Sequence, residues 1–111
     1  MIIIEAVVEN DGTLRACKVE GHAKAGKTGK DIVCAAVSVL MRTAYSVLSG
    51  KEGITVHGGA PERGTMWLEA DYTAETREFL FTAGVFLIEG LRSVAQEHPQ
   101  NCKLSISKML I

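Results

Sequence analysis

The chain is 111 residues long, 47% apolar, and carries a formal net charge of −1 with an isoelectric point near 6.3. That length fits one domain spanning residues 1–111, and that apolar content excludes a disordered chain. The near-neutral charge removes the usual electrostatic reason for binding nucleic acid or an anionic membrane. The opening Met1-Ile2-Ile3-Ile4-Glu5 has no basic lead and is too short for a signal peptide or a membrane span, so the protein is expected in the cytoplasm. Cys17, Cys34 and Cys102 are odd in number and widely spaced, which in a reducing compartment predicts free thiols.

Residues 2–9 read as a strand with Glu5 and Glu9 outward, and residues 13–20 as its return, with Leu14 and Ala16 alternating against Arg15 and Cys17. Asn10-Asp11-Gly12 between them is a tight-turn signal, because these residues tolerate positive φ. A glycine-bearing loop over 21–31 follows, and Asp31 is placed to cap a helix. Val33, Val37, Leu40, Met41, Ala44 and Leu48 recur at helical spacing, and Ser49-Gly50 ends the run.

Residues 54–58 read as a short strand, Gly58-Gly59-Ala60-Pro61 as a turn, and residues 64–72 as a strand alternating Met66, Leu68 and Ala70 against Trp67, Glu69 and Asp71. Thr73 is placed to cap a second helix that carries Phe79, Leu80, Ala83, Leu87, Leu91 and Val94 on one side and stops at His98-Pro99. Residues 102–109 supply a last strand. The order β-β-α-β-β-α-β predicts an α+β, two-layer domain: one mixed, mostly antiparallel sheet covered by two helices.

Chemistry concentrates around Cys34. Behind an Asp31 cap it falls at the third helical position, where unpaired backbone N–H groups and the positive end of the helix dipole favour a thiolate and offer donors for an oxyanion. His22 follows the second strand between Gly21 and Ala23, on the other side of the same loop. A thiolate nucleophile needs a base within hydrogen-bond reach, and imidazole has a suitable pKa. The plain alternatives are a small core cysteine and a solvated loop histidine. Cys17 and Cys102, on strands, read as packing. A zinc site from Cys17, His22 and Cys34 matches no common spacing.

The same loop holds a rival motif. Gly21-His22-Ala23-Lys24-Ala25-Gly26-Lys27-Thr28 satisfies G-x-x-x-x-G-K-[ST], which would put Lys27 on phosphates and Thr28 on magnesium, with Asp71 a faint second ligand. Against a small nucleotide-binding protein stand the glycine at position 29, a helix expected to begin later, the preceding hairpin where parallel strands are needed, and the short chain.

Gly21-His22-Ala23, followed by Gly29-Lys30-Asp31-Ile32-Val33-Cys34-Ala35-Ala36-Val37-Ser38, strongly resembles the ribosomal-processing cysteine protease family, Prp. The similarity runs over nearly the whole chain and includes Phe86-Leu87-Ile88-Glu89-Gly90-Leu91. It implies an endopeptidase that removes an apolar N-terminal extension, ending in aromatic residues, from ribosomal protein twenty-seven of the large subunit. It also implies a homodimer and no cofactor or metal.

By position, Cys34 matches the family nucleophile and His22 its catalytic histidine, while Asp31 and Ser38 match further motif positions near the site. The chain departs from the family in the intervening loop, expected to be flexible and to lie over the site. That loop includes Lys24, Gly26, Lys27 and Gly29, and it carries Lys24, Lys27 and Lys30 where many members have aromatic or acidic residues. A ribosome-associated module that binds the extension without cutting it is the remaining alternative.

Overall fold

In the computed structural model, residues 1–21, 28–62 and 64–109 are described. The elements are β1 (Ile2–Val8), β2 (Leu14–Glu20), α1 (Thr28–Ser49), β3 (Ile54–Glu62), β4 (Thr65–Tyr72), a 3₁₀ turn (Ala74–Thr76), α2 (Arg77–Glu97) and β5 (Cys102–Lys108). The five strands form one mixed sheet in the order β3-β4-β2-β1-β5. Only the β1–β5 pair is parallel, and the other three are antiparallel. This is the α+β arrangement expected from the order of elements.

Alternation along the strands decides which face is covered. Ile2, Ile4, Ala6 and Val8 of β1 are buried, as are Leu14, Cys17 and Val19 of β2 and Leu68 and Ala70 of β4. They meet Val33, Val37 and Met41 of α1 and Leu87, Ile88 and Leu91 of α2 in one core. Glu5, Lys18, Glu69 and Lys103 face the other way and are exposed. The helices themselves approach closely: a Cβ on Gly90 of α2 would sit 2.8 Å from Leu40 Cδ2 of α1.

The stretch Ile32–Ser49 of α1 is long and apolar enough to span a membrane by length and composition. In the fold it packs on the sheet through Val33, Val37, Met41 and Leu48, while Ile32, Val39 and Val47 remain exposed.

Four local expectations are corrected. Helix α1 begins at Thr28 rather than after Asp31, so Asp31 is its fourth residue and not its cap, and Gly29 belongs to its first turn rather than to a loop. A glycine inside a helix costs only about 1 kcal/mol against alanine, which the extra turn tolerates. Gly58-Gly59-Ala60-Pro61 is not a turn but lies within β3. Strand β3 is at the sheet edge, where a proline removes no ladder bond that the sheet needs.

In β2, Cys17 points into the core and Ala16 does not. A register shift between Val7 and Val8 pairs them with Ala16 and Leu14, skipping Arg15 and reversing the inward set after Leu14. Thr73 caps the 3₁₀ turn rather than α2 itself, and its N–H donates to Thr76 Oγ1 at 2.9 Å.

Glu9 ties the hairpin to β4. It accepts from the Tyr72 hydroxyl at 2.7 Å and from Arg15 Nη1 at 2.9 Å. The tyrosine hydrogen bond, helped by Arg15, holds the Glu9 carboxyl below its ordinary value near 4.5 despite partial burial, and the same bond raises Tyr72 above its ordinary value near 10. A carboxyl depressed by folding stabilises the fold above its unfolded pKa, and that contribution is lost as pH falls through the folded value. A raised tyrosine contributes below its unfolded pKa and loses the contribution as pH rises through the folded value. Tyr72→Phe is therefore expected to lower the melting temperature at pH 7, with the gap from the parent closing toward pH 3. A gap that stays constant across that range would mean the pair contributes nothing through ionisation.

Candidate active site

Three cysteines are present and all are free. Cys17 and Cys102 are each 1% exposed, whereas Cys34 is half-buried. Burial pushes the Cys17 thiol up to about 12. Cys102 is also raised, first by burial and then by the neighbouring Cys34. Both strand cysteines are thereby kept as inert thiols, the packing role read from their positions. Cys34 is the thiol of the three that a substrate can approach.

Cys34 sits on α1 beside the core that contains Ile2 and Cys102. Those two residues are cross-strand partners at the start of β1 and β5. The end of β2 is held at the same end of the sheet. Gly21 donates its N–H to the Gly64 carbonyl at 2.9 Å, and a Cβ on it would lie 2.2 Å from the Met1 carbonyl oxygen. Its φ of +135° is a conformation that residues with side chains rarely adopt.

His22, the next residue, lies outside the described residues, as do Lys24, Gly26 and Lys27. Topology thus brings the residue before His22 to the end of the sheet that holds Ile2 and Cys102, the core residues beside which Cys34 packs. The clamp of Met1, Gly21 and Gly64 was not visible in the sequence, because it joins three segments far apart in the chain.

The earlier helix start changes the electrostatic argument for Cys34. The N–H groups left free at a helix start belong to its first four residues, here 28–31. Cys34 is the seventh residue of α1, so its own N–H falls within the hydrogen-bonded body. An oxyanion site built on the helix start is therefore not assigned. Ser38 lies one turn beyond Cys34, half-buried, and its carbonyl accepts from Arg42 Nε at 3.3 Å.

The helix start also removes one objection to the phosphate-loop reading, since α1 does follow directly on Lys27. The topological objection stands: β1 and β2 form an antiparallel hairpin, not the parallel pair of that fold. Among the described residues, no three His, Cys, Asp or Glu side chains group as metal ligands do.

A model of the family described as cysteine protease Prp matches residues 1–103. The chain is therefore a cysteine protease; it belongs to the Prp family. A search of curated proteins finds no match to the sequence. Among solved structures, SMU.848 from Streptococcus mutans superposes with a TM-score of 0.83 at 25% identity, covering 98% of this chain and 96% of that one. The essential ribosomal processing protease Prp from S. aureus, in complex with a substrate peptide, superposes with a TM-score of 0.80 at 18% identity over 96% of this chain and 100% of that one. The same S. aureus protease with a covalently linked product peptide gives a TM-score of 0.80 at 20% identity over the same shares.

Proposed function

We propose that this protease removes the N-terminal extension of ribosomal protein twenty-seven of the large subunit, with Cys34 as nucleophile and His22 as its acid–base partner. The observation that carries the reading is the family match over residues 1–103, joined to the half-buried setting of Cys34 alone among the three thiols. The S. aureus protein of the same fold, described as a ribosomal processing protease, supports the substrate.

In the proposed reaction the Cys34 thiolate attacks the scissile carbonyl and forms a thioester. His22, protonated, gives its proton to the departing amine and then activates the water that releases the acid. Asp31 and Ser38 support the site from the same helix without reacting. The chemistry runs without a cofactor or metal. The test is mass spectrometry of a peptide carrying the extension and the residues beyond the cut, incubated with the parent and with His22→Ala. The parent is expected to yield the two fragments and the variant almost none. A parent that leaves the peptide intact, or a variant that cuts at the parent's rate, would defeat the assignment.

We place the enzyme in the cytoplasm, consistent with three free thiols, and read it as a homodimer that needs neither nucleic acid nor membrane. Support for the dimer lies on the outer side of the two helices. A groove of about 710 Å³ runs between α1 and α2, lined by Leu40, Ala44, Val47, Phe79, Phe86 and Leu87 among others. Phe86 is 74% exposed at its rim. A second copy related by a two-fold axis would cover each apolar face with the other. Phe86→Glu is expected to weaken association by roughly thirtyfold or more, as loss of a central aromatic contact does. Sedimentation velocity over a concentration series reads this directly. A parent that stays monomeric throughout rules the dimer out.

A further inference from the structure

Strand β5 is paired on one side only: it ends the sheet order, with β1 as its single neighbour. The backbone bonds between the two strands show which residues are left over. Ile2 donates its N–H to the Asn101 carbonyl at 2.8 Å, and Met109 donates to the Val8 carbonyl at 2.7 Å. The parallel register sets Ile2 opposite Cys102 and Val8 opposite Lys108, so Lys103, Ser105 and Ser107 turn their backbone groups to β1. Cys102, Leu104, Ile106 and Lys108 turn theirs outward. Cys102 donates to the His98 carbonyl at 3.0 Å. Among the described residues, nothing pairs with Leu104 or Ile106 on that side.

The surface beside this edge is shaped and charged. A groove of about 540 Å³ follows it, with Arg92, Ala95 and Gln96 of α2 on one wall and Lys103 and Leu104 on the other. Val85 and Phe81, seven and eleven residues before Arg92, fall on the same side of α2. They and Ile106 are 36% to 40% exposed. The charge is of one sign. Strand β5 carries Lys103 and Lys108 and no acid. Arg92 adds a third cation, met by Glu89 in an exposed contact at 3.3 Å. Glu5, the acid on the open face of β1, stands opposite Lys18 of β2. A second copy pairing edge to edge would bring these cations together, and lysine on a strand edge opposes such self-pairing.

We propose that the free edge of β5 docks an extended, acidic segment of another protein, which adds to the sheet as a further strand. The outward backbone groups of Leu104 and Ile106 supply the hydrogen bonds, as in other cases of strand addition. Side chains of the incoming strand alternate between the two faces. Those on the open face lie toward Lys103 and are acidic. Those on the helix side lie toward Leu104, Ile106 and Val85 and are apolar. The site goes beyond the protease reading and stands whether or not Cys34 is the nucleophile.

The probe is a capped seven-residue peptide alternating glutamate with valine, matched to the length of β5. A second peptide has lysine in place of glutamate. Solvent exchange of backbone amides, followed by NMR, reads the edge directly. At saturation the glutamate peptide is expected to slow exchange at Leu104 and Ile106 by about tenfold or more. It should bind about tenfold more tightly than the lysine peptide, as several cross-strand charge pairs together allow. Ile106→Pro removes an outward N–H and no bond to β1, so the fold should persist while binding is lost. Lys103→Glu, a surface change, should reverse the preference between the peptides. Unchanged exchange at Leu104 and Ile106 overturns the proposal and leaves the lysines as guards of the edge alone. Equal binding of the two peptides, or a Lys103→Glu variant with the parent's preference, overturns the acidic partner. Sedimentation in which Ile106→Pro has a smaller mass than the parent makes a second copy the occupant and overturns it too. Should Ile106→Pro fail to fold, Lys103→Glu still decides.

Discussion

Cys34→Ala is expected to lower turnover of the extension peptide by a factor of about 10⁴ or more, because a nucleophile and its base act as a unit and losing either removes nearly all covalent catalysis. The fold should survive the change. Cys34 is half-buried, and truncating a partly buried side chain costs on the order of 1 kcal/mol, small beside the 5–15 kcal/mol of an ordinary domain. Cys17→Ala makes the opposite case. That thiol is 1% exposed, so its loss should cost about 2 kcal/mol through the void left behind, yet turnover per folded molecule should stay at the parent level. Thermal melts and single-turnover assays on both proteins separate the two effects. The assignment of Cys34 falls if its alanine variant cuts at more than a few per cent of the parent rate, or if Cys17→Ala is the dead one.

Gly21→Ala should be the most damaging methyl addition among the glycines described. Its φ of +135° is strained for any side chain, a cost of about 1–3 kcal/mol by itself. The new Cβ would also meet backbone, not a yielding side chain, at 2.2 Å from Met1 O and 2.9 Å from Ile2 Cα. Either the start of β1 or the end of β2 has to move, and the bond from Gly21 N–H to Gly64 O is lost with it. Together these effects should remove about 3 kcal/mol or more, a fall in melting temperature of roughly 10 °C or more for a domain of this size.

Because His22 is the next residue, turnover should fall further than the loss of folded protein explains, even far below the melting temperature. Gly12→Ala is the control. It too has a positive φ, +96°, but its Cβ would meet only Phe81 Cε1 at 3.4 Å, in the turn between β1 and β2. It should destabilise modestly and leave turnover intact. If the two variants lose activity only in proportion to their stability, Gly21 acts as a turn residue and not as the anchor of the histidine.

Much of this molecule is legible in short stretches of sequence. Asn10-Asp11-Gly12 specifies the hairpin turn because its conformational preferences are local. Val33, Val37, Met41 and Leu48 mark the buried stripe of α1, and Leu80, Leu87 and Leu91 that of α2, because helical periodicity is set by the chain itself. Met66 to Asp71 shows which side of β4 faces the core for the same reason. The Gly-His-Ala and Asp-x-x-Cys segments carry the family, and with it the class of chemistry.

The three-dimensional structure decided what depends on distant partners. Whether Gly58 to Pro61 turns or pairs is settled by β4, which offers a ladder to β3 at a sheet edge. The side of β2 that holds Cys17 is set by the bulge opposite Val7 and Val8. The thiol free to react is chosen by what covers Cys17 and Cys102. The Tyr45 ring lies close against β3 because Gly58, on another strand, leaves room for it. Periodicity and turn preference are properties of neighbouring residues, so the amino-acid sequence by itself determined the order of the elements and the place of Cys34 on a helix. Register, coverage and close approach arise only when segments far apart in the chain meet, and they determined where β3 pairs, which side of β2 faces the core and which thiols are covered.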